Sequence, residues 1–405
     1  MSQAEQDAPA FLAPRRSLWK QLVCRWADRI ERGRILIQFP CGGECVAVGE
    51  TAGPSAAIRF NNARPFWLLL TGGSLGFSRA YLHGDWDSPD LGAVMELAIA
   101  NELALRPVLA STPLIGMLAY LRHRLRRNSR AGSRRNIASH YDLGNAFYGA
   151  WLDETMTYSA GLFEHEAQPL HEAQRAKYDR VLKALQIGPE DRVLEIGCGW
   201  GGFMEHSVSR TGCLITGLTL SEEQAQYARG RLKAAGLSNR TEVRLQDYRD
   251  CEGHFTKVVS IEMFEAVGEE NWRLYFDRLR QLLAPGGQAV IQVITIDETR
   301  FEHYRRNADF IQTYVFPGGM LPSATIFRER AVASGLTVID SFSFGRDYEK
   351  TLLYWERAFV ENWSVIRPLG FDERFFRMWR FYLHYCAAGF RTGRLGVYQF
   401  RLGRS

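Results

Sequence analysis

The chain has 405 residues, of which 46% are hydrophobic, so it can bury a large core and form more than one compact unit. Its net charge is only +5, and the uncharged stretch 107–121 is too short to cross a bilayer. The seven cysteines show no even framework, which argues against a secreted disulfide scaffold and indicates a reduced, cytosolic compartment.

Residues from about 11 to 120 predict a small α+β domain. The polar, acidic N-terminus (1–10) is unlike a signal peptide. A helix is expected at 18–31, short strands at 35–39, 56–60 and 66–70, and a second helix at 91–105. Cys41 and Cys45 lie in a glycine-rich turn, but no second Cys or His pair is nearby, so no metal site is expected.

A strongly basic segment follows this domain. Residues 103–141 contain no Asp or Glu but eight arginines, which leaves the rest of the chain at about −3: Arg106, Arg122, Arg124, Arg126, Arg127, Arg130, Arg134 and Arg135. The segment 122–135 is a candidate linker, either a solvated one or one that binds an anionic partner. No nucleic-acid-binding module accompanies it, and an apolar stretch precedes it, so an anionic phospholipid surface is favoured over nucleic acid.

The second half of the chain alternates strands with helices. Strands are expected near 192–196, 214–218, 241–246, 256–261 and 287–296, with helices at 202–210, 222–236 and 270–284. This rhythm predicts a mostly parallel sheet covered on both faces, which is an α/β doubly wound fold.

A glycine-rich turn follows the first of these strands. Gly197, Gly199 and Gly201 come directly after an apolar run and before a helix, an arrangement that binds a nucleotide-like cofactor. Gly197, Gly199 and Gly202 also match the dinucleotide fingerprint of spaced glycines, so NAD and S-adenosylmethionine are both candidates. Glu222 could be the acid that holds an NAD ribose, but it more readily forms the first turn of a helix capped by Ser221.

Polar side chains follow the later strands, where a parallel sheet binds its ligands. Asp247 and Tyr248 could hold a purine, although a helix cap and a core aromatic are their ordinary alternatives. Glu262 and Glu265 lie three residues apart after the fourth strand. Glu265 stands among apolar neighbours, and a carboxylate in such a setting usually has a partner or a task.

These features resemble the cyclopropane-fatty-acyl-phospholipid synthase family of S-adenosylmethionine-dependent methyltransferases, over residues 136–405. The resemblance is carried by the segments 140–145, 156–159, 193–202, 246–250, 263–265, 315–323 and 347–352. It implies a Rossmann-like class I methyltransferase fold for 136–405. It also implies that 1–121 is an accessory, lipid-binding domain.

The resemblance also implies residue roles. The positions matched to the cofactor site are Tyr158, Ser159, Gly197, Gly199, Thr219, Gln224, Asp247 and Tyr248. In the family, the double bond of an acyl chain attacks the sulfonium methyl, and the resulting cation loses a proton to bound bicarbonate as a cyclopropane forms. Glu265, Ile294 and Tyr348 match holders of that bicarbonate, and Gln292 stands where many members have His.

Two positions depart from the family pattern. Ala160 stands where many members have Cys, and Gln292 replaces His, as in the plant-type branch. Gln can donate to an anion, whereas Ala offers only its backbone N–H. A weakened base would favour a methyl-branched or methylene product over the ring.

The overall expectation is an enzyme at the inner face of the cytoplasmic membrane that acts on unsaturated acyl chains of phospholipids. A homodimer is left open, and nucleic acid is not expected. The competing hypothesis is a catalytically inactive protein that keeps the cofactor turn and binds lipid through its arginines. Replacing Glu265 by Gln should abolish turnover and spare cofactor binding if the enzyme hypothesis holds.

Overall fold

The computed structural model describes residues 17–109 and 143–404. The chain forms two compact units, Met1–Ser111 and Thr112–Ser405. The predicted linker 122–135, with the lipid contact assigned to it, lies outside the described residues. The boundaries and roles predicted for 1–121, 122–135 and 136–405 remain predictions.

The N-terminal unit contains a four-stranded sheet in the order β2-β1-β3-β4. Strand β1 (Arg32–Gln38) pairs antiparallel with β2 (Glu44–Val48) and parallel with β3 (Thr51–Phe60), and β3 pairs antiparallel with β4 (Trp86–Asp87). Alternate side chains of β1 and β2 are buried, so one face of the sheet forms the core. The α+β expectation is confirmed, although neither β2 nor β4 was predicted.

Within residues 17–109, four helices complete this unit, and one of them corrects a prediction. They are α1 (Leu18–Ala27), α2 (Arg64–Leu82), α3 (Leu91–Ala100) and α4 (Glu102–Leu109). The strand predicted at 66–70 is wrong, because these residues lie in α2. Pro65 occupies the first turn, where proline favours a helix, and a short apolar run cannot by itself distinguish strand from helix. Phe66 is 2% exposed and Trp67 58%, as expected for a helix with one buried side.

The C-terminal unit is built on a seven-stranded sheet in the order β10-β11-β9-β8-β5-β6-β7. The five predicted strands are present as β5 (Arg192–Ile196), β6 (Leu214–Thr219), β7 (Thr241–Leu245), β8 (Phe255–Ile261) and β9 (Leu283–Ile296). All pairings among them are parallel. Strands β10 (Thr337–Ser343) and β11 (Leu395–Gly403) were not predicted, and β11 runs antiparallel to both of its neighbours.

Helices cover both faces of this sheet, which confirms the doubly wound prediction. Val258 and Val259 are consecutive in β8 and belong to the cores on opposite faces. One core includes α6 (Leu170–Leu185), α7 (Gly202–Thr211) and α8 (Glu222–Ala234), which follow the short helix α5 (Asn145–Gly149). The other includes α9 (Trp272–Leu282), α10 (Phe301–Arg306) and α11 (Ala324–Ala333).

Three further helices near the C-terminus were not predicted. They are α12 (Gly345–Glu361), α13 (Trp363–Ile366) and α14 (Glu373–Arg391). Trp355 of α12 and Trp379 of α14 are both fully buried, and both contact the ring of Trp151. Within the ranges that the structure describes, no helix is both long enough and apolar enough to cross a membrane.

Candidate active site

The glycine-rich turn lies where β5 leads into α7. Gly197, Gly199 and Gly201 have φ values of +87°, +51° and +81°, a region that other residues adopt at a cost. A Cβ atom added at Gly199 would have no neighbour within 4 Å. The backbone here therefore leaves open space that a side chain would partly fill.

One pocket beside this turn contains all eight residues predicted to bind the cofactor. Its walls come from the ends of several parallel strands and from the segment 156–159, which is distant in sequence. The predicted residues in the wall are Tyr158, Ser159, Gly197, Gly199, Thr219, Gln224, Asp247 and Tyr248. The fold thus brings together positions that the sequence identified separately.

The end of β6 is fixed by hydrogen bonds within the pocket wall. The Thr219 hydroxyl donates to Oε1 of Gln224 over 2.8 Å, and the Ser221 hydroxyl caps α8 by accepting from the Gln224 N–H. Glu222 is exposed in the first turn of α8, as predicted, and does not line the pocket. No acid is therefore placed here as an NAD ribose would require.

Asp247 and Tyr248 form the wall beyond β7. Asp247 accepts hydrogen bonds from the backbone N–H of Arg249 (2.9 Å) and from its guanidinium (2.9 and 2.6 Å). Tyr248 packs edge-to-face on Tyr275, and burial raises the pKa of its phenol to about 12. The cap and core roles weighed for these residues are therefore compatible with their position in the pocket wall.

A buried lysine lies behind Ser159, and the sequence reading did not find it. Lys177 of α6 is fully buried, and its ammonium donates to the Ser159 hydroxyl (2.5 Å) and to Gln174 (2.7 Å). Burial lowers its pKa to about 7, and the nearby carboxylates Glu262, Asp153 and Glu195 oppose that shift. The available signal was a lysine with Ala173 and Val181 four residues away on either side, the apolar face of a helix.

Aromatic rings surround Tyr158. Its hydroxyl lies 2.7 Å from the hydroxyl of Tyr382, and its ring contacts Tyr148, Trp151 and Trp355. These rings come from three other segments of the chain. Of this aromatic cluster, Tyr158 lines the cofactor pocket, and the other four rings pack around it in the core.

Glu262 is the centre of a polar cluster just beyond β8. Its Oε1 accepts hydrogen bonds from the backbone N–H of Ala160 (2.9 Å) and from the side-chain amide of Gln292 (2.7 Å). Its Oε2 accepts from the hydroxyl of Tyr348 (2.5 Å). Two residues predicted to be catalytic, Gln292 and Tyr348, therefore meet at a carboxylate to which the sequence analysis gave no role.

The other two predicted catalytic residues, Glu265 and Ile294, are hydrogen-bonded to each other. Its Oε1 accepts from the backbone N–H of Ile294 over 2.6 Å, while its buried Oε2 has no hydrogen-bond partner among the described residues. Burial, followed by the charge of Glu262, raises the pKa of Glu265 to about 8. Glu262 lines the cofactor pocket, whereas Glu265, Gln292, Ile294 and Tyr348 are not part of its wall.

The orientation of Gln292 is fixed on its far side. Its Oε1 accepts from the side-chain amide of Gln399 in β11 over 3.0 Å, so its own NH₂ group points at Glu262. The unpredicted antiparallel strand thus determines which end of this amide faces the cluster.

A third buried carboxyl, Glu195, lies at the end of β5 in the pocket wall. Burial raises its pKa to about 8, and Lys177 opposes the shift. No cluster of three or more His, Cys, Asp or Glu side chains in 17–109 and 143–404 is arranged to hold a metal ion.

The sequence of this chain is similar to those of several known proteins. Residues 128–400 match the family model described as mycolic acid cyclopropane synthetase. The tuberculostearic acid methyltransferase UfaA1 of Mycobacterium tuberculosis is 42% identical over 82% of this chain and 79% of its own length. The cyclopropane-fatty-acyl-phospholipid synthase of Escherichia coli is 33% identical over 85% of this chain and 87% of its own length.

Solved structures agree with these relatives. The mycolic acid cyclopropane synthase CmaA1, complexed with SAH and CTAB, superposes with a TM-score of 0.63 at 33% identity. The match covers 67% of this chain and 98% of that one. The fold is therefore that of a class I S-adenosylmethionine-dependent methyltransferase, as expected.

Proposed function

The chain belongs to the mycolic acid cyclopropane synthetase family of S-adenosylmethionine-dependent methyltransferases, and on that premise we propose that it modifies unsaturated acyl chains of membrane phospholipids. The reaction adds the methyl carbon of S-adenosylmethionine to a cis double bond, and the product is a cyclopropane fatty acid. The observation that carries this proposal is the position of Glu262, which lines the cofactor pocket and is bonded to Gln292 and Tyr348.

The pocket residues suit S-adenosylmethionine. When bound, the cofactor supplies an electrophilic methyl group on a sulfonium. The open space at Gly199 admits a ligand against the backbone, and the N-terminus of α7 follows directly. Thr219, Gln224 and Asp247 provide polar atoms, and Tyr248 provides an aromatic face for the adenine.

The aromatic wall suits the other reactant. An alkene that gains a methyl group becomes a carbocation, which water would destroy, so the site must be apolar and dry. Tyr158 in the pocket wall presents a π-face that stabilises positive charge, and the buried rings packed around it exclude water from behind it.

Methyl-branched or methylene fatty acids are the alternative product. The 42% identical relative is named a methyltransferase rather than a cyclopropane synthase. Ala160 and Gln292 are the two departures that favour this alternative, because they change the group that removes the proton. The acyl substrate and the cofactor are the same in both cases.

Phospholipid at the inner membrane surface is the proposed substrate location. The basic segment 122–135 would bind anionic headgroups, and one relative is named for acyl chains of phospholipids. A homodimer would present two such segments to the same surface.

Incubation with vesicles of mono-unsaturated anionic phospholipid and S-adenosylmethionine tests the proposal. Released fatty acids are examined by mass spectrometry and by proton NMR, because a ring and a methylene branch add the same mass. Upfield ring-proton signals are expected. Olefinic signals with an added carbon would establish the alternative product, and no added carbon would contradict the proposed substrate.

A further inference from the structure

We propose that the carboxylate of Glu262 is a built-in replacement for the bicarbonate that the family resemblance implies, and that it is the base that removes the proton. This inference rests on the proposed function, since it names the proton acceptor of that reaction. It also accounts for both departures from the family pattern, Ala160 and Gln292, because a side-chain carboxylate then takes the place of the bound anion.

The hydrogen-bond donors around Glu262 are already occupied by its carboxylate. Three groups that would bind an external anion, the Ala160 N–H, the Gln292 amide and the Tyr348 hydroxyl, donate instead to the two oxygens of Glu262. A phenol has one proton to donate, and so has a backbone N–H. Bicarbonate could not use the Ala160 N–H or the Tyr348 hydroxyl unless the Glu262 side chain moved away.

The acidic groups already present beside Glu262 disfavour a further anion. Glu265, the remaining side-chain carboxyl of the cluster, lies close enough to Glu262 for their charges to interact, and its Oε2 atom is buried although the residue as a whole is half-buried. A bound bicarbonate would add a third acidic group to a site with little solvent. With Glu265 neutral, the Glu262 carboxylate and a bicarbonate held against it would be two like charges, which disfavour one another strongly in a site with little solvent. The residues present therefore do not fit an additional anion.

The backbone of Glu262 has an unusual conformation. Its φ of +50° is in the left-handed region, which a non-glycine residue adopts only when the surroundings enforce it. Its N–H donates to the Gln292 carbonyl over 2.8 Å, which anchors the residue directly after β8. This conformation accompanies a carboxyl that lines the cofactor pocket and still reaches all three donors.

The surroundings of Glu262 suit a carboxylate that accepts a proton. The three hydrogen-bond donors are all neutral, and burial is the leading cause of a raised pKa at Glu262. The hydrogen bonds and the charge of Lys177 oppose that shift, and the hydrogen bonds keep the carboxylate oriented. A partly desolvated carboxylate without a direct cationic partner accepts a proton more readily than one paired with arginine.

The proton transfer balances without another reactant. A C–H bond of the added carbon breaks, and its electron pair forms the carbon–carbon bond that closes the ring. The proton goes to an oxygen of Glu262, which becomes a neutral carboxylic acid. Loss of that proton to solvent after product release restores the carboxylate.

The test compares wild type with Glu262→Gly and Glu262→Gln in buffer freed of carbon dioxide and in buffer with added bicarbonate. Wild-type turnover is expected to be the same in both. Glu262→Gly should lose about 10²- to 10⁴-fold in turnover without bicarbonate, the usual contribution of a general base. Added bicarbonate or formate should restore a measurable part, because the deletion leaves a space lined by the three donors.

Glu262→Gln is the matched control. Its amide fills the same space and cannot accept the proton, so its loss should be similar but not rescued. Glycine suits a φ of +50°, so the Glu262→Gly chain is expected to fold. Near-wild-type turnover of either variant in bicarbonate-free buffer would overturn the inference, as would bicarbonate dependence of the wild type.

A binding measurement separates this inference from the proposed function. Line broadening of ¹³C-bicarbonate is recorded with each protein and S-adenosylhomocysteine, in the absence of lipid. Broadening by Glu262→Gly, but not by wild type or Glu262→Gln, supports the inference even if no lipid is converted. Equal broadening by wild type overturns it even if the lipid product is found.

Discussion

Glu265 combines two properties that are seldom found together at one buried carboxyl. It accepts one hydrogen bond, from Ile294, and it lies beside a second acid, Glu262, that has three donors. Such unequal environments separate the pKa values of two neighbouring acids, so that one is neutral while the other is charged. Glu265, with its pKa raised to about 8, is the neutral member near pH 7.

Glu265→Gln tests the contribution of this residue to catalysis. Turnover is expected to fall by about 10²-fold or more, because proton transfer by a positioned carboxyl contributes at least that factor and an amide cannot perform it. The affinity for S-adenosylmethionine, measured by calorimetry, should stay the same because Glu265 does not line the cofactor pocket. Wild-type turnover in the variant would refute a catalytic role.

The pH dependence of folding tests the protonation state of Glu265. A folded-state pKa of about 8 lies above the unfolded value, so the folded state binds more protons and stability decreases as pH rises between the two values. Glu265→Gln lacks this titration. The free energy of unfolding of wild type, relative to Glu265→Gln, should therefore decrease by about 1.4 kcal/mol per pH unit towards pH 8. Parallel curves from denaturant titrations would contradict the raised pKa.

At the scale of an element, the turn between β5 and α7 is the part of the fold most dependent on glycine. Positive φ at Gly197, Gly199 and Gly201 lets the backbone reverse within a few residues while the helix N-terminus stays open to a ligand. The two ends of α7 allow a matched comparison, because Gly212 after its last turn also has a positive φ, +69°.

Gly199→Ala is expected to weaken binding of S-adenosylmethionine by about tenfold or more. The new methyl group meets no protein atom within 4 Å, so it projects into the space proposed for the cofactor. Gly212→Ala is the control, because its nearest neighbour would be Pro189 at 3.8 Å and it lies outside the pocket wall. Both variants should lose about 1–2 kcal/mol of stability from the left-handed backbone. Equal cofactor affinity in the two variants would contradict the pocket assignment.

At the scale of the whole molecule, charge is distributed unevenly between the basic segment and the rest of the chain. The formal charge of +5 results from eight arginines in 103–141 and a net of about −3 elsewhere. A protein of this kind can bind an anionic surface through one segment while its remaining surface contributes no attraction.

Replacement of Arg122, Arg124, Arg126 and Arg127 by Gln tests the proposed membrane contact. Each arginine near an anionic surface contributes about 1 kcal/mol, so binding to anionic vesicles should fall by roughly 10²- to 10³-fold in a sedimentation assay. Added salt should weaken wild-type binding in the same direction. Turnover of a detergent-dispersed substrate serves as the control and should be unchanged. Vesicle binding that is insensitive to both salt and substitution would contradict the contact.

The sequence by itself determined the parallel sheet, the glycine turn and the polar residues Asp247 and Tyr248 after the third strand, whereas the other pocket positions came from the family resemblance. The sheet, the turn and these polar residues depend on local patterns: apolar runs of strand length, glycines at fixed spacing, and polar residues directly after strands. The strand predicted at 66–70 was wrong because it also depended on a local pattern. A short apolar run fits either a strand or a buried helix until its packing is known.

Only the tertiary structure decided what Glu262 does. Its three donors come from Ala160, from β9 and from α12, which are 102, 30 and 86 residues away in sequence. Likewise, the burial of Lys177 and the orientation of Gln292 by β11 depend on elements far apart in the chain. Hydrogen-bond partners and desolvation are set by packing in space, and a local pattern contains no record of either.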